Sequence, residues 1–266
     1  MKCMKLRILF LFVVVFCSQV SAQNALVGSW EMVSSKITSP QGTKILKDNS
    51  FVRAIKIITP TYFISFSEEK VDKNLAYFYQ AGTVKLVGEK FIESPEVSSR
   101  DNFRATKTDF NWKVKDGKFI QSGDITFPSG DKFIVDEMIY RIIKVKTTND
   151  KNPSIGVWKL VSAAIVGSDG TKIPKMGVSR ILVINATHWM QLNYAGPKVQ
   201  NSSGGTYMMD GGKLYPSYEY SSIPMSATAK HEFIQKVEGD KLYLSGFYYT
   251  GGGSKIAFSD VYQRAK

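Results

Sequence analysis

The chain is nearly free of cysteine. Its two, Cys3 and Cys17, both fall within the first 22 residues, so the rest can form neither a disulfide nor a thiolate metal site. Histidine is as scarce, with His188 and His231 alone. Their separation matches no metal-binding spacing, and neither a metal nor another cofactor is expected. A nucleophile elbow, a phosphate-cradling glycine loop and a dinucleotide fingerprint are missing. So is any run of five or more like charges. The formal charge of +12 therefore reads as single lysines on a solvated surface, and nucleic acid is not an expected partner. Beyond residue 22 no apolar run is long enough for a membrane-spanning helix.

The first 22 residues have their own pattern. Lys2, Lys5 and Arg7 precede an apolar stretch from Ile8 to Cys17, and Val20-Ser21-Ala22 supplies small residues. This predicts a secretory signal peptide over 1–22, cleaved near Ala22, and a secreted or periplasmic product. A lipoprotein cysteine at Cys17 is the less favoured reading, because bulky Phe16 precedes it.

What is abundant is repetition. Gly28-Ser29-Trp30 recurs as Gly156-Val157-Trp158, and Gly42-Thr43-Lys44-Ile45 as Gly170-Thr171-Lys172-Ile173, both 128 positions later. Thr61-Tyr62-Phe63 matches Thr187-His188-Trp189. Gly82-Thr83 then matches Gly205-Thr206, Ser122-Gly123 matches Ser245-Gly246, and Arg141 matches Arg264. The matches are collinear, so the sequence predicts two copies of one unit, over 23–144 and 155–266, with a polar linker at 145–154.

Each copy is a series of short β-branched and aromatic segments without a helical period. Examples are Ala54 to Thr59, Tyr62 to Ser67, Lys118 to Phe127 and Lys241 to Tyr249. Asp116-Gly117 and Gly239-Asp240 read as two-residue hairpin turns at matching places. The expected fold class is all-β, with two tandem antiparallel barrels, since closure leaves no open edge.

A Gly-x-Trp on the first strand and an arginine on the last resemble the lipocalin and calycin signature, in which the arginine stacks on the tryptophan. The resemblance implies that contact for Trp30 with Arg141 and for Trp158 with Arg264. The second copy further resembles a lipocalin-like family of secreted Bacteroidetes proteins of unknown function. That likeness runs through Thr187-His188-Trp189-Met190, Gly204-Gly205-Thr206-Tyr207, Gly211 to Tyr220 and Lys236 to Lys241.

The second copy also concentrates aromatic and titratable residues. Tyr215, Ser217 and Glu219 share one face of a strand by a period of two. Together with the resemblance, this predicts that His188, Tyr207, Tyr215 and Glu219 point into one cavity and contact a ligand. The same tyrosines could instead pack the core and rim. The leading expectation is a non-catalytic protein that holds a small apolar or aromatic-contacting ligand, mainly in the second barrel. An alternative is a module that binds a protein or glycan through its outer surface, and a third reading uses Glu219 and His188 as an acid–base pair.

Overall fold

The computed structural model describes residues 25–47, 51–71, 74–145, 149, 151–196, 198–226 and 228–265, without the side chains of 51, 52 and 71. The signal-like stretch 1–22, with Cys3 and Cys17, lies outside them, as do 146–148 and 150 of the expected linker. Among the described residues no helix is long and apolar enough to cross a membrane.

The first nine strands are β1 (Gly28–Ser39), β2 (Gly42–Lys47), β3 (Phe51–Ile58), β4 (Tyr62–Val71), β5 (Asn74–Val87), β6 (Lys90–Ser98), β7 (Lys107–Lys115), β8 (Lys118–Thr126) and β9 (Lys132–Ile142). A short 3-10 turn, Asp101–Phe103, joins β6 to β7. Then come β10 (Gly156–Val166), β11 (Lys172–Pro174), β12 (Ser179–Ile184), β13 (His188–Ala195) and β14 (Lys198–Asp210). The last are β15 (Lys213–Pro216), β16 (Tyr220–Ser221), β17 (Glu232–Glu238), β18 (Lys241–Tyr249) and β19 (Lys255–Arg264).

The pairing makes a closed eight-strand antiparallel barrel: β1 joins β3, neighbours follow in order to β9, and β9 returns to β1. From β10 onward the strands pair in the same succession, and β19 returns to β10. Between this C-terminal circuit and the N-terminal one, among the described residues, runs one parallel bridge, Lys198 with Ser98.

Three apolar clusters follow from strand parity. Trp30, Phe91, Phe110, Phe119 and Tyr140 fill the N-terminal circuit, and Trp158, Trp189, Leu214, Leu242 and Tyr262 fill the C-terminal one. The third cluster lies between the circuits, where Ile55, Ile57, Ile64 and Phe66 meet Ile181, Val183, Met190 and Leu192. Strands β3, β4, β12 and β13 are thus buried on both faces. That is why segments such as Ile181 to Ile184 are continuously apolar rather than alternating.

Matched glycines have a steric cause. Gly123 and Gly246 sit at φ of 145° and 144°, and a Cβ there would strike the facing carbonyl oxygen of Asp109 or Glu232. The two expected hairpins are also present, with Asp116 and Gly117 at φ 51° and 70°, and Gly239 at 55°.

One expectation needs correction. Arg264 does lie over Trp158, its guanidinium carbon 4.0 Å from the ring centroid. In the N-terminal circuit, however, the residue paired with Trp30 is Ile142, while Arg141 pairs with Glu31 and meets its carboxylate at 2.6 Å. The last strands are out of step by one residue, which turns Arg141 to the outside. Within the stretch 145–154, Asn152 and Ser154 are buried, and Trp158 Nε1 donates to Ser154 O at 2.7 Å. Trp30 Nε1 likewise donates to Leu26 O at 2.9 Å, so each tryptophan is anchored by the carbonyl four residues before it.

Candidate functional site

The four residues singled out by sequence do not converge. His188 and Glu219 are neighbours, but on the face of the C-terminal circuit that packs against the N-terminal one. Arg53 of β3 reaches Glu219 across that seam, with Nη1 3.3 Å from Oε2. Glu219 also accepts from Thr206 N at 3.0 Å and from Thr206 Oγ1 at 2.5 Å. His188 is buried, with Nδ1 2.7 Å from Thr187 Oγ1. Burial pulls its imidazole below the ordinary histidine value; the Glu219 carboxylate opposes this and the Arg53 guanidinium adds to it.

Tyr207 belongs to the opposite, inner face. Its hydroxyl donates to Asn185 O at 2.6 Å and accepts from Asn152 Nδ2 at 3.1 Å. Tyr215 lies apart from all three, with Lys230 Nζ 4.2 Å from its ring centroid. Tyr215 faces Met208, in step with Thr206, so Tyr215 and Glu219 do lie on one side of the sheet, but it is the outer side and not a lumen; the strand itself breaks between them, β15 stopping at Pro216 and β16 starting at Tyr220.

The cavity with the more apolar walls lies in the N-terminal circuit, which the sequence reading passed over. It measures about 240 Å³, with Met32, Ile37, Phe110, Ile125, Phe133 and Met138 among its walls. At its inner end Lys56 Nζ meets Glu93 Oε1 at 2.6 Å, both side chains 4% exposed. The ammonium also lies 5.0 Å from the Tyr140 ring centroid. Burial pulls the Lys56 ammonium down, but the Glu93 carboxylate and the Tyr140 oxygen outweigh it and hold the value above that of ordinary lysine. Thr108 Oγ1 fixes the strand behind Glu93 by accepting from its backbone N–H at 2.7 Å.

Gln121 of β8 lines the same cavity; it is 1% exposed, and neither its Nε2 nor its Oε1 has a partner among the described residues. Phe103, from the 3-10 turn, lies at the cavity rim and packs edge-on against Phe78 and Phe127. The sequence signal for this site was Lys56 itself, a lone cation inside the apolar run Ala54-Ile55-Lys56-Ile57-Ile58.

The C-terminal circuit has a cavity of about 300 Å³ with a more polar wall. Arg180 donates to Asp260 at 2.5 Å, to Tyr262 Oη at 2.7 Å and, through Nε, to Asn193 Oδ1 at 2.6 Å. Asn193 in turn donates to Asn201. Tyr140 and Tyr262 hold matching positions, opposite Met32 and Leu160. Their cations do not match: Trp30 faces Lys56, whereas Trp158 faces Leu182. The two interiors have therefore diverged in where they place charge. Among the described residues no group of three or more His, Cys, Asp or Glu could hold a metal ion.

No family model matches the chain, and no curated protein matches it. Three similar solved structures span nearly all of it. One is a protein of unknown function of the DUF3598 family from Nostoc punctiforme, at 13% identity and TM-score 0.25, covering 91% of this chain and 97% of its own. Another is kievitone hydratase from Nectria haematococca, at 13% identity and TM-score 0.25, covering 91% and 90%. The third is transferrin binding protein B from Haemophilus parasuis, at 8% identity and TM-score 0.24, covering 90% and 76%. Likenesses of this strength assign no activity and no site.

Proposed function

We propose that the protein is a non-catalytic binding protein built as two tandem lipocalin-like barrels, and that it holds a small, largely apolar ligand in the lumen of the N-terminal one. The observation that carries this reading is the cavity of about 240 Å³, with apolar walls and a buried polar inner end. Ligand sites commonly combine these features. The tandem reading is supported by the two pairing circuits, the matched glycines and the two anchored tryptophans. The non-catalytic reading is supported by the ion pairs in each cavity, which tie Lys56 to Glu93 and Arg180 to Asp260. Export is part of the same proposal and rests on the pattern of residues 1–22.

The rival reading, recognition through the outer walls, has less surface to work with. The outer faces of β3, β4, β12 and β13 are spent on each other. Exposed apolar side chains such as Met176, Val161 and Ile234 belong to separate strands and turns, which is ordinary for a soluble surface.

The test is titration with N-phenyl-1-naphthylamine, a neutral dye whose emission rises in apolar surroundings. Enhancement that is lost in Ser65→Trp, which fills the cavity from its β4 wall, is the expected result. Enhancement that survives Ser65→Trp would place the dye elsewhere and remove the N-terminal cavity from the argument.

A further inference from the structure

We infer that the ligand of the N-terminal cavity carries a neutral head group with a donor and an acceptor side by side, as in an amide or lactam, rather than a carboxylate or an ammonium. The inference deepens the reading just given and rests on it.

Gln121 is the first ground. It projects from β8 opposite Met138 of β9, both residues lining the cavity. Its amide has a donor and an acceptor, both buried and both unpartnered among the described residues. Buried polar groups are nearly always paired, and an exception calls for a reason. The terminal torsion of glutamine is soft, so a small rotation turns the amide toward the cavity without a rotamer change. A ligand edge with the complementary acceptor and donor satisfies both atoms at once.

Charge is the second ground. Lys56 and Glu93 neutralise each other at 2.6 Å, and both are almost wholly buried. A carboxylate brought to Lys56 also arrives beside Glu93, and like charges in a dry site disfavour each other strongly. An ammonium meets the same objection from Lys56. A neutral polar edge meets neither. The third ground is the wall: Ile37, Ile125, Phe133 and Met138 give the remainder of the ligand an apolar side to lie against. The other charged groups of the lining are engaged, Lys44 with Glu69 at 3.0 Å and Arg100 with its guanidinium carbon 5.0 Å from the Phe78 ring centroid.

The experiment is displacement of N-phenyl-1-naphthylamine at pH 7.5 by octanamide, octanoate and octylammonium. These share a chain length and differ in the head. Octanamide is expected to displace the dye at concentrations about tenfold lower than either ion, the size of effect that one or two well-made hydrogen bonds give. In Gln121→Leu the preference, read as the ratio of octanamide to octanoate displacement within that variant, should be lost. Gln121→Met provides the same comparison if the leucine variant folds poorly. Octanoate or octylammonium equal to octanamide on the wild type would overturn the head-group inference and leave the apolar cavity standing. A preference that persists in the Gln121 variants would overturn it too. If the dye fails to bind the wild type at all, the cavity reading falls and takes this inference with it.

Discussion

The Arg264 guanidinium lies over Trp158, its carbon 4.0 Å from the ring centroid, and it donates from Nη1 to Ile155 O at 3.1 Å. Gly156 makes room for it, since a Cβ at that position would run into the guanidinium. The matched corner of the N-terminal circuit is built differently. There Gly28 faces the Ile142 side chain, and Arg141 points outward with its side chain 58% exposed. The two corners share a tryptophan and a glycine, but only one closes with an arginine.

This difference sets the first prediction. Arg264→Gln should cost about 0.5–2 kcal/mol, the range for a cation held over an indole. Arg141→Gln should cost less than about 0.5 kcal/mol, because an exposed ion pair contributes little. Urea unfolding midpoints of the two variants measure the contrast. Equal losses would mean that the shared sequence motif, not the register, decides the contact.

The buried Lys56–Glu93 pair sets the second. Lys56→Met leaves a carboxylate without its counter-charge in a dry interior, and Glu93→Met strands the ammonium. Each should cost about 3–5 kcal/mol, while the double variant recovers much of the loss. A double-mutant cycle on unfolding free energies reads this directly. Losses that simply add would show that the two side chains contribute independently and would argue against a tightly coupled pair.

Much of the architecture is legible in the sequence. The repeat located the turns and the tryptophans, and strand composition gave the all-β class. The cavity was not legible, for physical reasons. A period of two puts Tyr215 and Glu219 on one side of the sheet, but that is the outer side. Parity never says which face is the lumen. His188 alternates with Trp189, and it is Trp189 that joins the inner cluster while Met190, in step with His188, joins the seam. Lys56 was hidden by its own strand, because a single lysine among isoleucines reads by composition as an edge or surface residue.

The seam gives the third prediction. Glu96 and Glu219 are matched residues, and each binds a cation of the other circuit: Lys159 at 2.9 Å and Arg53 at 3.3 Å. Each also has an aromatic neighbour at the matched position, with Tyr62 donating its hydroxyl to Glu96 at 3.0 Å where the other circuit has His188 beside Glu219. The side chains of both ion pairs are 32–44% exposed, so Glu96→Ala and Glu219→Ala should each cost only about 0–1 kcal/mol. Neither should change dye affinity in the N-terminal cavity. A loss of dye binding in Glu219→Ala alone would restore the four-residue site expected from the sequence.

The fourth prediction concerns acid. His188 is held below its ordinary value of about 6.5, so the folded protein keeps it neutral while the unfolded chain takes up a proton. Between those two values the unfolded state binds more protons, and stability falls as the pH is lowered. The contribution is fully present above about pH 7 and is lost as the pH falls through 6.5 toward the folded value, at no more than about 1.4 kcal/mol per pH unit for one group. The groups that bear on the ring are Glu219 and Arg53, with the Thr187 hydroxyl at Nδ1. Glu219 favours the imidazolium, so part of the loss is offset, and removing that carboxylate should steepen it. Because Tyr62 occupies the matched position in the N-terminal circuit, His188→Tyr is the natural substitution: it keeps an aromatic ring with a polar tip at the seam and carries no charge near neutrality. Unfolding free energies measured from pH 8 to pH 5 should show a smaller decline in His188→Tyr than in the wild type, and a larger one in Glu219→Gln. Superimposable profiles for the wild type and His188→Tyr would show that the buried imidazole titrates alike in both states, and would remove the seam as a source of acid sensitivity.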